Sequence, residues 1–288
     1  MASFPIAVIT DEFSQDFERV CATAIELDIA GLEIRTAWDK NVLAMSDREI
    51  DQLKRIANRH GRRFVAVASP VYKCVLPDGG EVDQRFRQDA FQAAYDFGDQ
   101  PRILARALEI SHRLEAPVVR VFSFWRTVAP ERNFERIAQI LAEGGEVARR
   151  SGVRLGLENE PACHFATGAE VARAIEALEP DPYGVVWDPG NAFATGEAAV
   201  PDGYRKVPAG RICHVHVKDC TLNPSSGRPE WCDIGAGGVG WQEQLAALAT
   251  DGYRGAVSLE THWTGPGGDK YLGTTICAKS LARLLAES

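Results

Sequence analysis

Four apolar runs in the second half of the chain each end in groups able to bind a cation or move a proton. Val153-Arg-Leu-Gly-Leu157 runs into Glu158, Asn159 and Glu160, and Tyr183-Gly-Val-Val-Trp187 into Asp188-Pro-Gly-Asn191. Ile212-Cys-His-Val-His-Val217 carries His214 and His216 and runs into Lys218 and Asp219, and Ala256-Val-Ser-Leu259 into Glu260, Thr261 and His262. A carboxylate held near a core is costly unless it is paired or bound to metal. One such run is explained by a solvated residue at a loop start, but four in succession are not. Residues at i and i+2 of a strand share a face, so His214 and His216 point the same way at different heights. His216, nearer the C-terminal rim, is the ligand candidate, and His214 is expected one layer below, hydrogen-bonded and structural. Three carboxylates at one mouth repel, and some protonate unless a cation lies among them. Glu158, Asp188, His216 and Glu260 are therefore expected to hold one divalent metal ion. An oxygen-rich set with one imidazole suits Mn²⁺, Mg²⁺ or Co²⁺, with Mn²⁺ favoured and Zn²⁺ a further candidate. Four protein ligands leave two octahedral positions for adjacent oxygens of a sugar-like substrate.

Such a constellation needs elements that bring strand ends to one rim. Short apolar runs at 6–9, 31–35, 64–68 and 117–122 precede the four above. Segments with helical spacing alternate with them, at 17–27, 50–61, 103–114, 131–150, 167–178, 241–248 and 276–285. Ser46-Asp-Arg-Glu49 and Thr167-Gly-Ala-Glu170 read as capping boxes. Eight strand–helix units, about 35 residues each, predict an α/β fold: a single (β/α)₈ TIM barrel over residues 1–288. An open doubly wound sheet would want Gly-x-Gly-x-x-Gly after the first strand, and none is there. Gly235-Ala-Gly-Gly-Val-Gly240 follows the seventh strand instead; it reads as loop-forming, with a phosphate cradle as the lesser alternative. Ser69-Pro70 is expected to end the third strand. Residues 69–101, with Phe86, Phe91, Tyr95 and Phe97, form a longer loop excursion suited to a lid or binding loop.

Forty acidic against 32 basic residues give a net charge of −8, which argues against a nucleic-acid partner. Seven scattered cysteines without a CxxC pair predict free thiols rather than a disulfide framework or zinc ribbon. No apolar window approaches the roughly 20 residues that span a bilayer. The N-terminus lacks the basic and apolar regions of a signal peptide. The expectation is a cytoplasmic protein with no membrane partner.

Leu157-Glu158-Asn159, Trp187-Asp-Pro-Gly-Asn191, His214-Val-His-Val-Lys-Asp219, the Gly235–Gly240 loop and Ser258-Leu-Glu260, in this order, resemble the sugar phosphate isomerase/epimerase family of xylose isomerase-like TIM barrels. The resemblance implies metal binding by Glu158, Asp188, His216 and Glu260, with Glu158 and Glu260 as the catalytic acid/base pair. It implies proton abstraction next to the carbonyl of a keto-sugar or related polyol, and a homodimer or homotetramer. One departure stands out: ketose 3-epimerases of the family commonly carry a histidine where this chain has Asn191. The same site could instead eliminate a β-group from a keto-sugar, keto-glycoside or keto-inositol, which would make it a dehydratase or lyase. A three-zinc endonuclease would need more strand-end histidines than a chain with six in total offers. A non-catalytic barrel subunit is the reading from another class. For substrate contact, Lys218 projects to the same side as His216, and Asn191, Glu160, His164, Arg126 and His262 are the further candidates. Arg35, Lys73 and Arg120 also lie near strand ends, with barrel salt bridges as their competing role. Trp187, Phe122 and Trp263 are candidates for an apolar wall, with core packing the competing job for the first two.

Overall fold

The computed structural model describes residues 4–86, 88–89 and 93–287, so Phe91 lies outside the described residues. Eight parallel strands close into a barrel. They are β1 (Ile6–Ile9), β2 (Gly31–Ile34), β3 (Arg63–Val71), β4 (Val118–Val121), β5 (Arg154–Glu158), β6 (Tyr183–Trp187), β7 (Ile212–Val217) and β8 (Val257–Leu259). Each pairs with its sequence neighbours, and β8 closes on β1 through Ile6–Val257 and Val8–Leu259. The strands are short and rich in valine, isoleucine and leucine because helices cover their outer faces.

The main helices are α1 (Phe17–Glu26), α2 (Asp47–Arg59), α3 (Gln100–Leu114), α4 (Phe134–Ser151), α5 (Gly168–Glu176), α6 (Pro189–Ala194), α7 (Trp241–Thr250) and α8 (Lys270–Glu287). Both capping boxes form: Ser46 and Thr167 accept from the amides of Glu49 and Glu170, whose carboxylates reach back. Apolar residues at helical spacing then face the barrel, as Ile50, Leu53 and Ile56 do in α2. All seven cysteines are free. No helix among the described residues is long and apolar enough to cross a membrane.

The third strand does not stop at Ser69-Pro70. It continues to Val71, with its register to β4 shifting between Val67 and Val71. A proline cannot donate to the ladder, so it is tolerated where pairing is already irregular. Two hairpins were not legible from the alternation. One joins Thr36–Ala37 to Lys40–Asn41, and the other joins Asp219–Leu222 to Pro229–Cys232 after β7. The second builds one side of the mouth. Parts of the 69–101 excursion, including Lys73 and Phe86, build the opposite side.

Candidate metal centre and active site

The strand ends converge as their spacing demands. One ligand atom each from Glu158, Asp188, His216 and Glu260 lies within 4.8 Å of the others, and all four residues are buried. His216 Nδ1 is 3.1 Å from Glu158 Oε1, 3.4 Å from Glu260 Oε2 and 3.7 Å from Asp188 Oδ2. Asp188 also caps α6: its Oδ1 accepts from the Asn191 amide at 2.8 Å, which leaves Oδ2 turned to the cluster. Asn159 ties β5 to β6. It accepts from the Asp188 amide at 2.9 Å and donates to the Asp188 carbonyl at 2.8 Å. Glu158 Oε2 and Asp188 Oδ2 make no directed hydrogen bond. Their contacts are ionic, with Arg120 at 3.3 Å and Lys218 at 2.7 Å. Three carboxylates and one imidazole within ligand spacing, two of their oxygens lacking directed partners, fit a divalent ion with oxygen preference.

Charge is heavily interleaved here. Burial disfavours the charged form of each group, and neighbours of opposite sign outweigh it. Burial would raise Glu158, but Arg120 and His216 hold its carboxyl below the usual range. Glu260 is likewise held well below it against burial, by Lys218, His216, His262 and Arg35. Burial would lower His216, but Glu33, Glu158 and Glu260 raise it well above the ordinary imidazole value. Lys218, buried between Asp188 and Glu260 at 2.7 and 2.8 Å, is raised in the same way. Arg35 fans out to Asp11, Glu12 and Glu260, so its role is a barrel-mouth salt bridge.

Of the sequence-derived contact residues, Lys218, Asn191, Glu160 and His262 line a cavity of about 980 Å³ above the cluster. Glu160 pairs there with Lys73 at 3.1 Å, and Lys73 lies 4.3 Å over the Phe122 ring. Arg126 and His164 do not reach this cavity. Arg126 is spent on Glu170 and on the carbonyls of Cys163 and His164. The two nitrogens of the His164 ring face the Ser123 carbonyl at 3.0 Å and Asn133 at 3.1 Å, and burial lowers its pKa. Both are consumed in tying the segment after β4 to the segment after β5.

Trp187 and Phe122 take the core-packing role, and Trp263 does not line the cavity either. Trp187 is buried and donates to Gln244, Phe122 lies beneath Lys73 and Arg120, and Trp263 packs against the core. The cavity instead presents Trp231 and Phe86. Trp231 stands 5.1 Å from the His262 ring on the second hairpin. The glycine-rich loop is not a phosphate cradle. Its amides at Gly235, Gly237 and Val239 donate to the Asp219 carboxylate at 2.8, 3.2 and 3.2 Å. A Cβ on Gly237 would lie 2.2 Å from Asp219 Oδ1, so the close wrap needs glycine.

Sequence reasoning missed Glu33. It is wholly buried in β2, 3.1 Å from His216 Nε2 and 2.8 Å from His214 Nε2. The available signal was a charged residue inside the apolar run Gly31-Leu-Glu-Ile34. His214 lies one layer below His216, hydrogen-bonded, as expected.

The family described as xylose isomerase-like TIM barrel matches residues 21–274. The uncharacterized protein MJ1311 of Methanocaldococcus jannaschii is 26% identical over 166 residues, 54% of each chain. The present chain thus spans about half the length of the curated relative it matches. Among solved structures, the IOLI protein with a bound zinc atom superposes with a TM-score of 0.75 at 17% identity, covering 100% of this chain and 99% of its own. A D-tagatose 3-epimerase-like protein gives 0.69 at 18%, covering 100% and 97%. The probable 3-DHS dehydratase AsbF of Bacillus anthracis gives 0.72 at 14%, covering 96% and 98%. These likenesses establish a shared fold.

Proposed function

The chain belongs to the family of xylose isomerase-like TIM barrels, and on that premise we propose that it is a divalent-metal-dependent isomerase or epimerase acting next to the carbonyl of a keto-sugar or related polyol. The observation that carries the reading is the cluster of Glu158, Asp188, His216 and Glu260 at one barrel rim, with ligand atoms within 4.8 Å. These four side chains would hold the ion, with Mn²⁺ favoured. The IOLI structure, which shares the fold, holds a zinc atom, and this supports a metal-binding reading. When bound, the ion supplies Lewis-acid polarisation of the substrate carbonyl.

The remaining work falls to the chain. Glu158 and Glu260 sit on strands three positions apart in the ring, each 3.1 to 3.4 Å from His216 Nδ1. A carboxylate on either side of a bound substrate allows one to take the α-proton and the other to return it. Glu260 is kept ionised by Lys218 and Arg35 at 2.8 Å each, ready to accept a proton. Asn191 and the Lys73–Glu160 pair offer hydrogen bonds to hydroxyls, and Trp231 offers an aromatic face to a ring. Lys218 and His262 lie 3.4 Å apart on the Glu260 side of the site, with Lys218 also bridging to Asp188. That asymmetry favours, as second reading, a dehydratase or lyase in which one side supplies a proton to a departing hydroxyl. The 3-DHS dehydratase neighbour is in keeping with it.

The test is metal content together with hydrogen exchange. The purified chain, stripped with EDTA and incubated with Mn²⁺, should retain about one ion per chain, and Glu260→Gln should lose turnover. Keto-sugars and keto-inositols in D₂O should take up deuterium next to the carbonyl without loss of water. A rising enone absorbance would select the elimination reading. A chain that takes up none of Mn²⁺, Co²⁺, Mg²⁺ or Zn²⁺ would refute both.

A further inference from the structure

We infer that Glu33 is a positioning residue that sets the affinity of the four-ligand cluster by locking the His216 ring. The inference rests on the metal-centre reading above and adds a residue to it. Glu33 stands in β2, while His214 and His216 stand in β7, so the carboxylate reaches across the barrel interior. Each of its oxygens takes one ring: Oε1 is 3.1 Å from His216 Nε2 and Oε2 is 2.8 Å from His214 Nε2. None of the three side chains is more than 3% exposed. A carboxylate wholly buried in the barrel interior is strongly unfavourable without such partners. The strand cannot easily yield either. A Cβ at Gly31 would lie 2.7 Å from Val65, and the register of β2 against β3 shifts between Leu32 and Glu33, a local irregularity of the kind that re-aims a side chain.

The consequence for His216 is geometric. With Nε2–H donating to Glu33, a ring that gave up one proton to bind an ion would keep the other on Nε2, leaving Nδ1 as the ligating atom on the side of Glu158, Asp188 and Glu260. A carboxylate behind a ligating imidazole fixes both tautomer and ring plane, and it increases the basicity of the ligating nitrogen. His214 holds the second oxygen of Glu33, so the carboxylate cannot rotate away. His214 therefore acts as the anchor of the anchor, which explains a second histidine two residues before the ligand.

Glu33→Gln keeps the shape and can still accept from His216 while donating to His214; Glu33→Ala removes both contacts. EDTA-stripped proteins are titrated with Mn²⁺ by calorimetry, with circular dichroism and melting of the stripped forms as the fold check. The visible absorption of the Co²⁺-loaded proteins is recorded alongside. Expected for Glu33→Gln is a Kd for Mn²⁺ about 10- to 100-fold weaker with the stripped fold intact. Glu33→Ala should lose at least as much, and the Co²⁺ band should shift, which a purely structural role would leave in place. If Glu33→Gln binds Mn²⁺ within about twofold of the unsubstituted chain with an unchanged Co²⁺ band, the inference fails while the metal reading stands. If the unsubstituted chain itself binds no ion, the metal reading fails first and the inference with it.

Discussion

Replacing Asp219 by alanine should destabilise the protein by about 4 kcal/mol. The carboxylate accepts four backbone amides: Cys220 at 2.9 Å, Gly235 at 2.8 Å, and Gly237 and Val239 at 3.2 Å. Burial is the larger influence on Asp219 and pushes its pKa up against the pull of those amides, so part of their contribution offsets desolvation. The cost of truncation is set by the donors left behind. Cys220 and Val239 are buried and would lose their only acceptor, at about 1–3 kcal/mol each. Gly235 and Gly237 lie nearer the surface and can turn to water. The sum is about 2–6 kcal/mol. Asp219→Asn keeps one oxygen for Cys220 and Val239 and should cost roughly half as much. Urea denaturation of the two variants measures both values, and amide exchange at Val239 should accelerate. A loss below about 1 kcal/mol for the alanine variant, or equal losses for both, would refute the argument that this loop is organised around one carboxylate. Because the hairpin bearing Trp231 starts at Asp219, the same variants should weaken substrate binding more than they slow turnover.

Gly144→Ala should destabilise although alanine is the better helix former by about 1 kcal/mol. Its Cβ would lie 2.2 Å from the hydroxyl of Tyr72, a buried residue whose backbone is held at φ +62°, so a net loss of about 1–2 kcal/mol is expected in a thermal melt. An unchanged or raised melting temperature would show that Tyr72 gives way. Acid should unfold the protein partly through Glu12. Burial would raise its pKa, but Lys270 and Arg35 hold it below the ordinary value. A depressed folded pKa contributes stability that is present above the unfolded value of about 4.3 and is lost as pH falls through the folded value. Glu12→Gln should therefore lower stability at pH 7 and flatten the loss between pH 5 and 3, as followed by urea midpoints across that range.

The barrel and the clustering of Glu158, Asp188, His216 and Glu260 were legible because both depend on local pattern. Eight apolar runs alternating with helical spacing permit few topologies, and a charged residue closing a run marks the rim. What was not legible depends on contacts distant in sequence. Glu33 is 181 residues from His214, and nothing near it announces a partner. Trp231 reaches the mouth only because Asp219–Leu222 and Pro229–Cys232 pair as a hairpin, which lacks the clean alternation of a barrel strand. Arg126 and His164 were misplaced for the opposite reason. They lie close in sequence to strand ends, but Arg126 pairs with Glu170 and His164 bonds back to the Ser123 carbonyl, contacts that a linear reading cannot see. The glycine-rich loop was read as loop-forming, and its cradle holds a side chain of this protein.

Two of the recognisable motifs turn out to be halves of one device. A Cβ at Gly190 would lie 2.5 Å from Lys218 Cγ, so Asp188-Pro-Gly-Asn191 needs its glycine to admit the lysine of His214-Val-His-Val-Lys218. The stem of Lys218 then runs against the first turn of α6, and its ammonium is delivered between Asp188 and Glu260 at 2.7 and 2.8 Å. Together with Arg120 and His216 at Glu158 and Arg35 at Glu260, that charge offsets the repulsion that would otherwise make the clustered carboxylates protonate or swing apart. With it, they stay ionised and in place at a cost already met during folding. On the proposed metal reading, the same ammonium would compete with a cation for Asp188 Oδ2 and Glu260 Oε2. Lys218 would then lower ion affinity while preserving the geometry, and its ammonium would be a positive donor for a substrate oxygen at the cavity floor.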